Sequence, residues 1–120
     1  MDEWLYILDG EEVKKASCLE EWNRWMAENN AIVSYDSIED IVVCTAFVGR
    51  DFALPSRENP LLFRTDIWIV DHAYQCAART ETLAEAQKLH RGVLGEVIKR
   101  RHQALVMAEA EVRRIMKGIN

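Results

Sequence analysis

Ile41-Val42-Val43-Cys44-Thr45-Ala46-Phe47-Val48 is apolar at almost every position. Ile41, Val43, Thr45 and Phe47 alternate with Val42, Cys44, Ala46 and Val48, so both faces of a strand here are apolar, which is the pattern of a strand in the middle of a sheet. Two more runs follow across turn-forming residues, Leu61 to Val70 and Tyr74 to Arg79. In the first of these, Phe63, Thr65, Ile67 and Ile69 oppose Leu62, Arg64, Asp66, Trp68 and Val70. The two charges predict that the second face meets water. Strands joined by short turns pair antiparallel.

Upstream, Trp4 to Leu8 alternates as a short strand, Asp9-Gly10 is a hairpin turn, and Glu11 to Lys15 returns as a ragged edge strand. Ser17 and Glu20 have capping-box spacing: the Ser17 hydroxyl accepts from the Glu20 amide and the Glu20 carboxylate from the Ser17 amide. The helix that follows carries Leu19, Trp22, Trp25 and Met26 on one stripe. It ends at Asn29-Asn30, a pair that tolerates left-handed backbone. Ala31 to Tyr35 reads as extended, Asp36-Ser37 as a break, and Ile38 to Val48 as the next strand. Arg50 to Pro60 is the longest loop, where binding residues tend to sit, and Asp71-His72 turns the chain into Tyr74–Arg79.

Thr82 and Glu85 form a second capping box, and no proline follows up to Lys117. Leu83, Ala86, Leu89, His90, Val93, Leu94, Val97 and Ile98 make a broad stripe that covers the sheet. Leu94, Ile98, Arg101, Leu105, Ala108, Val112, Ile115 and Ile119 then step by threes and fours, a heptad seam broken by one arginine and read as a separate surface. A helix from Thr82 to Lys117 is about 54 Å long, whereas a domain of this size is about 30 Å across; part of it must overhang or fold back. The expected fold is therefore α+β: an antiparallel sheet of about four to six strands with two helices on one face. A domain over residues 1–95 carries a helical extension over 96–120, and Ile98, Leu105, Val112, Ile115 and Ile119 are the expected homodimer interface.

At 120 residues and 49% hydrophobic, the chain is sized for one domain with a real core. Cys18, Cys44 and Cys76 are odd in number and set among apolar residues, the usage of free thiols in a reducing compartment. Asp2 and Glu3 stand where a secretory leader would be basic, and no apolar run reaches the roughly 18 residues of a membrane span. A cytoplasmic protein of the host cell, with no membrane, is expected. The net charge of −5 is uneven: residues 1–60 hold 13 acidic and 5 basic side chains, residues 61–120 hold 7 and 10. Such a bipolar surface suits head-to-tail assembly or a basic partner.

Groups with catalytic chemistry are Asp51, Asp66, Asp71, His72 and His90, with Cys44 or Cys76 as nucleophile. None has motif spacing. His72, His90 and His102 lie 18 and 12 residues apart without local acidic or thiol partners, so neither metal nor cofactor is expected. His90 is placed to hydrogen-bond at the boundary of helix and sheet. Lys99, Arg100 and Arg101 are the candidate nucleic-acid contacts, a short cluster without interleaved aromatics. Asp9, Glu11, Glu12, Glu20, Glu21, Glu39 and Asp40 fall at turns and on the first helix, where carboxylates could face a nucleic-acid-binding protein.

Trp4-Leu5-Tyr6-Ile7-Leu8-Asp9-Gly10, the Trp22 and Trp25 pair, Phe47-Val48-Gly49-Arg50-Asp51, Pro60-Leu61-Leu62-Phe63-Arg64-Thr65 and Thr82-Leu83-Ala84-Glu85-Ala86 followed by His90 together resemble a family of small phage and prophage proteins of unassigned function. That family carries Phe-x-Gly-x-Asp, then Leu-Phe-Glu-Thr, then Glu-Ala-x-x-x-His. The likeness spans roughly residues 4 to 95; Arg64 replaces the family's glutamate, and the extension after Gly95 exceeds its usual length. The resemblance implies a phage setting and no active site to carry over. The expected function is non-enzymatic binding of a host protein or complex, as an inhibitor of a defence nuclease or of a regulator. The alternatives are a nucleic-acid-binding or virion-assembly accessory protein, and a small enzyme.

Overall fold

In a computed structural model, residues 5–51, 60–69 and 74–119 are described, with backbone alone at 74–77 and 119. Trp4, most of the Arg50–Pro60 loop and the Asp71-His72 turn lie outside these residues. The element order is β1 (Tyr6–Asp9), β2 (Glu12–Lys15), α1 (Leu19–Glu28), β3 (Ile32–Ile38), β4 (Ile41–Phe47), β5 (Phe63–Ile69), β6 (Tyr74–Thr80) and α2 (Leu83–Ile119). β1 and β2 form a hairpin of their own, and the other strands form an antiparallel sheet in the order β3-β4-β5-β6. β4 is indeed an inner strand, which accounts for its two apolar faces.

The register places Phe47 beside Phe63, Thr45 beside Thr65 and Val43 beside Ile67. These side chains share one face of the sheet, because alternate residues of a strand point the same way. Both helices reach that face. Phe47, Leu62, Phe63 and Ala86 make the buried core; Trp25 of α1 meets Phe47 edge-on at 5.3 Å between ring centroids, and Phe63 lies tilted to Phe47 at 5.2 Å. Such aromatic pairs each add about 1 kcal/mol beyond the area they bury.

The first hairpin is attached where β4 ends. Tyr6 donates its amide to the Gly49 carbonyl at 2.9 Å, and Leu5 bridges Arg50. Gly49 has φ +65°, and a Cβ there would lie 2.7 Å from the Tyr6 carbonyl oxygen and 2.8 Å from Trp22 Nε1. Only glycine fits both the backbone and the space.

Several local expectations need correction. Cys18, not Ser17, occupies the N-cap of α1 and makes no side-chain cap; the Ser17 amide donates to Glu21 Oε1 at 2.8 Å, because the helix starts one residue later than the box spacing implies. Asn29 ends α1 in extended backbone, with φ −118°, and stops it by donating its own amide and its Nδ2 to the Trp25 carbonyl, both at 3.0 Å. Leu19 is exposed. Asp36-Ser37 does not break β3, which runs to Ile38; the turn is Glu39-Asp40, with Glu39 at φ +53°. The second capping box forms as expected at the Glu85 amide, 3.1 Å from Thr82 Oγ1, while the Glu85 carboxylate accepts from that hydroxyl at 2.9 Å.

α2 is 37 residues long and stays on its sheet through Arg101, after which residues 102–118 are all exposed. Its buried and half-buried residues, Leu83, Ala86, Leu89, His90, Val93, Leu94, Val97 and Arg101, continue by the same threes and fours into Leu105, Ala108, Val112 and Ile115. The heptad seam is thus the prolongation of the sheet-facing stripe, not a separate surface. Ile98, assigned to the broad stripe, to the seam and to the homodimer interface, lies off this line and is half exposed. The molecule measures 74 × 29 × 23 Å.

Gly10 and Gly49 have nearly the same positive φ, but only Gly49 is hemmed in. Gly10→Ala should cost about 1 kcal/mol in urea unfolding, the strain of the left-handed region alone, and Gly49→Ala about 3 kcal/mol or more. Equal losses would show that the contacts around Gly49 are slack.

Candidate functional site

The inward residues of β3, β4 and β5 include four polar side chains, Ser34, Asp36, Thr45 and Thr65, and α2 lays His90 over the last three. Thr65 Oγ1 lies 2.7 Å from Thr45 Oγ1, Thr45 Oγ1 lies 2.8 Å from His90 Nδ1, and His90 Nε2 lies 2.7 Å from Asp36 Oδ2. Thr45 is 0% exposed, Thr65 1% and His90 3%, whereas the Asp36 side chain is 46% exposed. An ionised Asp36 accepts from Nε2–H, which leaves Nδ1 to accept from Thr45 and Thr45 to accept from Thr65. Every buried polar atom of the series has a partner.

A hydroxyl, an imidazole and a carboxylate in series are also the parts of a nucleophile and its base. Here the hydroxyl end is sealed and the carboxylate end is wet. The Thr45 hydroxyl is closed off from solvent, and the series ties α2 to three strands. His90 was legible as a residue bonding at the helix and sheet boundary; Asp36, Thr45 and Thr65 were not. Their signal is a polar side chain at an inward position of an apolar strand, twice at paired positions.

The other catalytic candidates disperse. Asp51 is buried and accepts from the Leu61 amide at 2.9 Å, joining the two ends of the long loop. Asp66 lies on the opposite face of β5, 2.8 Å from Arg64 Nε. Arg64, the departure from the phage pattern, therefore sits away from the His90 series. Cys44 is on that same far face, and burial, with the Asp66 charge second, pushes its thiol up, against a role as nucleophile. Asp71 and His72 lie outside the described residues, as does the Cys76 side chain. Trp22 Nε1 is buried without a hydrogen-bond partner among the described residues, against Gly49. Among those residues no three His, Cys, Asp or Glu side chains converge as a metal would need, and no helix is long and apolar enough to cross a membrane.

The acidic residues divide into two groups. Asp9, Glu11 and Glu12 are exposed around the first hairpin's turn, and Glu20 is exposed on α1 near Glu21, which is taken up by Ser17. Glu39 and Asp40 lie at the far end of β4, where Arg101 Nη1 donates to Asp40 Oδ1 at 3.0 Å and Nη2 to Glu39. Arg101 is thereby taken out of the basic cluster and the two carboxylates out of the acidic one; Arg100 pairs with Glu96. Of the seam, Leu105, Val112 and Ile115 are exposed together on the overhang, while the Ile119 side chain is not among those described.

Compared with protein-family models, curated proteins and solved structures, the chain matches none.

Thr45→Val leaves both the His90 nitrogen and the Thr65 hydroxyl without their buried partner, and should cost about 2–3 kcal/mol. Asp36→Asn alters a half-exposed contact and should cost about 1 kcal/mol or less. Chemical denaturation of the two variants checks the order. In the native protein at neutral pH, a thiol reagent followed by peptide mapping should modify Cys44 more slowly than the half-buried Cys18. Because the Cys44 pKa is raised, its labelling should climb only above the ordinary thiol range.

Proposed function

We propose that this protein acts by binding another protein, not by catalysis, and that the overhanging part of α2 is the binding element. The observation that carries this reading is the run of exposed residues 102–118 with Leu105, Val112 and Ile115 along one side. An apolar row of that length is uncommon on a surface that meets only water. The rest of the described molecule supports the role of a scaffold: the imidazole–hydroxyl series holds α2 in place, and Arg101 clamps the helix to the Glu39-Asp40 turn just before it leaves the sheet. In the phage setting that the motifs resemble, the assembly formed through the arm acts on a host protein stoichiometrically, so as to inhibit or regulate it.

A second reading places the contact on the acidic hairpin. It is favoured by the joint exposure of Asp9, Glu11 and Glu12 at a turn, where they can meet a basic groove.

Affinity capture with three proteins tests both readings. One is the wild type, one carries Leu105→Arg and Val112→Arg, and one carries Glu11→Lys, Glu12→Lys and Glu20→Lys. A partner held by the wild type and lost only from the arm variant is the expected result. Loss only from the lysine variant moves the site to the hairpin, and retention by both removes both readings.

A further inference from the structure

Where the arm leaves the sheet, its apolar line is not alone. Ile41, Ile67 and Ile69 at the end of the sheet, with Val97, Arg100, Arg101 and Ala104 of α2, line an open hollow of about 290 Å³. Farther along, Leu105, Ala108 and Val112 line a second shallow hollow. The sheet end and the underside of the arm form one L-shaped apolar surface, because the seam continues the stripe that faces the sheet. Whatever covers it has to approach from the sheet side of α2.

We infer that the occupant is the arm of a second copy of this chain, laid antiparallel under the first. This rests on the arm being the binding element. Three points set the orientation and register of that second copy. A parallel partner would have its own sheet on the side where the first copy's sheet already lies, so the two domains would collide, whereas an antiparallel one carries its domain to the opposite end. The seam has the three-and-four spacing of a surface that packs against another helix. The place where the sheet stops, at Arg101 and Ala104, then fixes the register: the far end of each arm abuts the other's hollow, Ile115 of one copy lies opposite Leu105 of the other, and Val112 opposite Ala108.

The extent is adequate. Seventeen residues span about 26 Å of helix, and two such lengths side by side, with each tip against the other's sheet end, reach the order of 1,000 Å² that a specific interface requires. The charge is tolerable as well. Glu109 and Glu111, nearest the two-fold axis, already pair with Arg113 and Arg114 on their own helix, so the arms meet as locally neutral surfaces.

Light scattering on the wild type should give twice the 13.9 kDa chain mass, and Leu105→Arg should give the single mass with unchanged near-ultraviolet circular dichroism. Orientation is read by disulfide trapping with the wild type as blank. The double variant Leu105→Cys, Ile115→Cys should form a covalent dimer on oxidation, and neither single variant should. Dimers from Leu105→Cys alone would mean a parallel pair and overturn the inference, as would a monomeric wild type. A monomer whose protein partner is still lost on Leu105→Arg would leave the arm as binding element and sink only the second copy; a partner indifferent to that change would sink the binding element itself.

Discussion

A histidine ring buried between a helix and a sheet must satisfy two nitrogens at once, and in this protein that requirement sets where α2 lies. His90 finds Thr45 on the inner strand and Asp36 on the edge strand at hydrogen-bond distance. Moved by one turn of helix, about 5.4 Å, the ring would lose both. Apolar packing alone would tolerate such a slide, since leucines, valines and isoleucines substitute for one another as neighbours. Polar partners do not, and the cost of an unpaired buried group gives the helix one register on its sheet. The Arg101 clamp on Glu39 and Asp40 makes the same register at the other end of the contact.

The three motifs that carried the resemblance meet in one place. Phe47, Phe63 and Ala86 share a core cluster, Gly49 admits the first hairpin and the Trp22 ring, Asp51 joins the ends of the long loop, and Thr65 and His90 belong to the hydrogen-bonded series. Residues of very different chemistry are thus accounted for by assembly of the domain.

The sheet was legible because β4 announces itself by a nearly unbroken apolar run and β5 by a face that carries two charges, and the capping box at Thr82 because its spacing is specific. The turn at Glu39-Asp40 was not, since neither residue is glycine or asparagine; Glu39 holds positive φ with Arg101 as a partner from 62 residues away in the chain, which no local pattern reveals. Asp36 misled for the same reason: an aspartate in a strand reads as a break until a distant histidine is placed beside it. The arginine in the seam was visible as an anomaly in the heptad spacing, but its meaning needed the turn. Helix periodicity alone made the stripe and the seam look like separate surfaces, when one line of side chains simply outlasts the sheet beneath it.

The overhang also governs how the particle moves through a fluid. A compact chain of 120 residues has a radius of gyration of about 14 Å, and this one has 19.9 Å. Frictional drag follows length more than mass, so a single chain diffuses slowly and leaves a sizing column early, as though it were a larger sphere. Rotational tumbling is anisotropic too: the long axis reorients slowly while the chain spins readily about it, so amide groups along α2, which lie near that axis, relax differently from those of the strands.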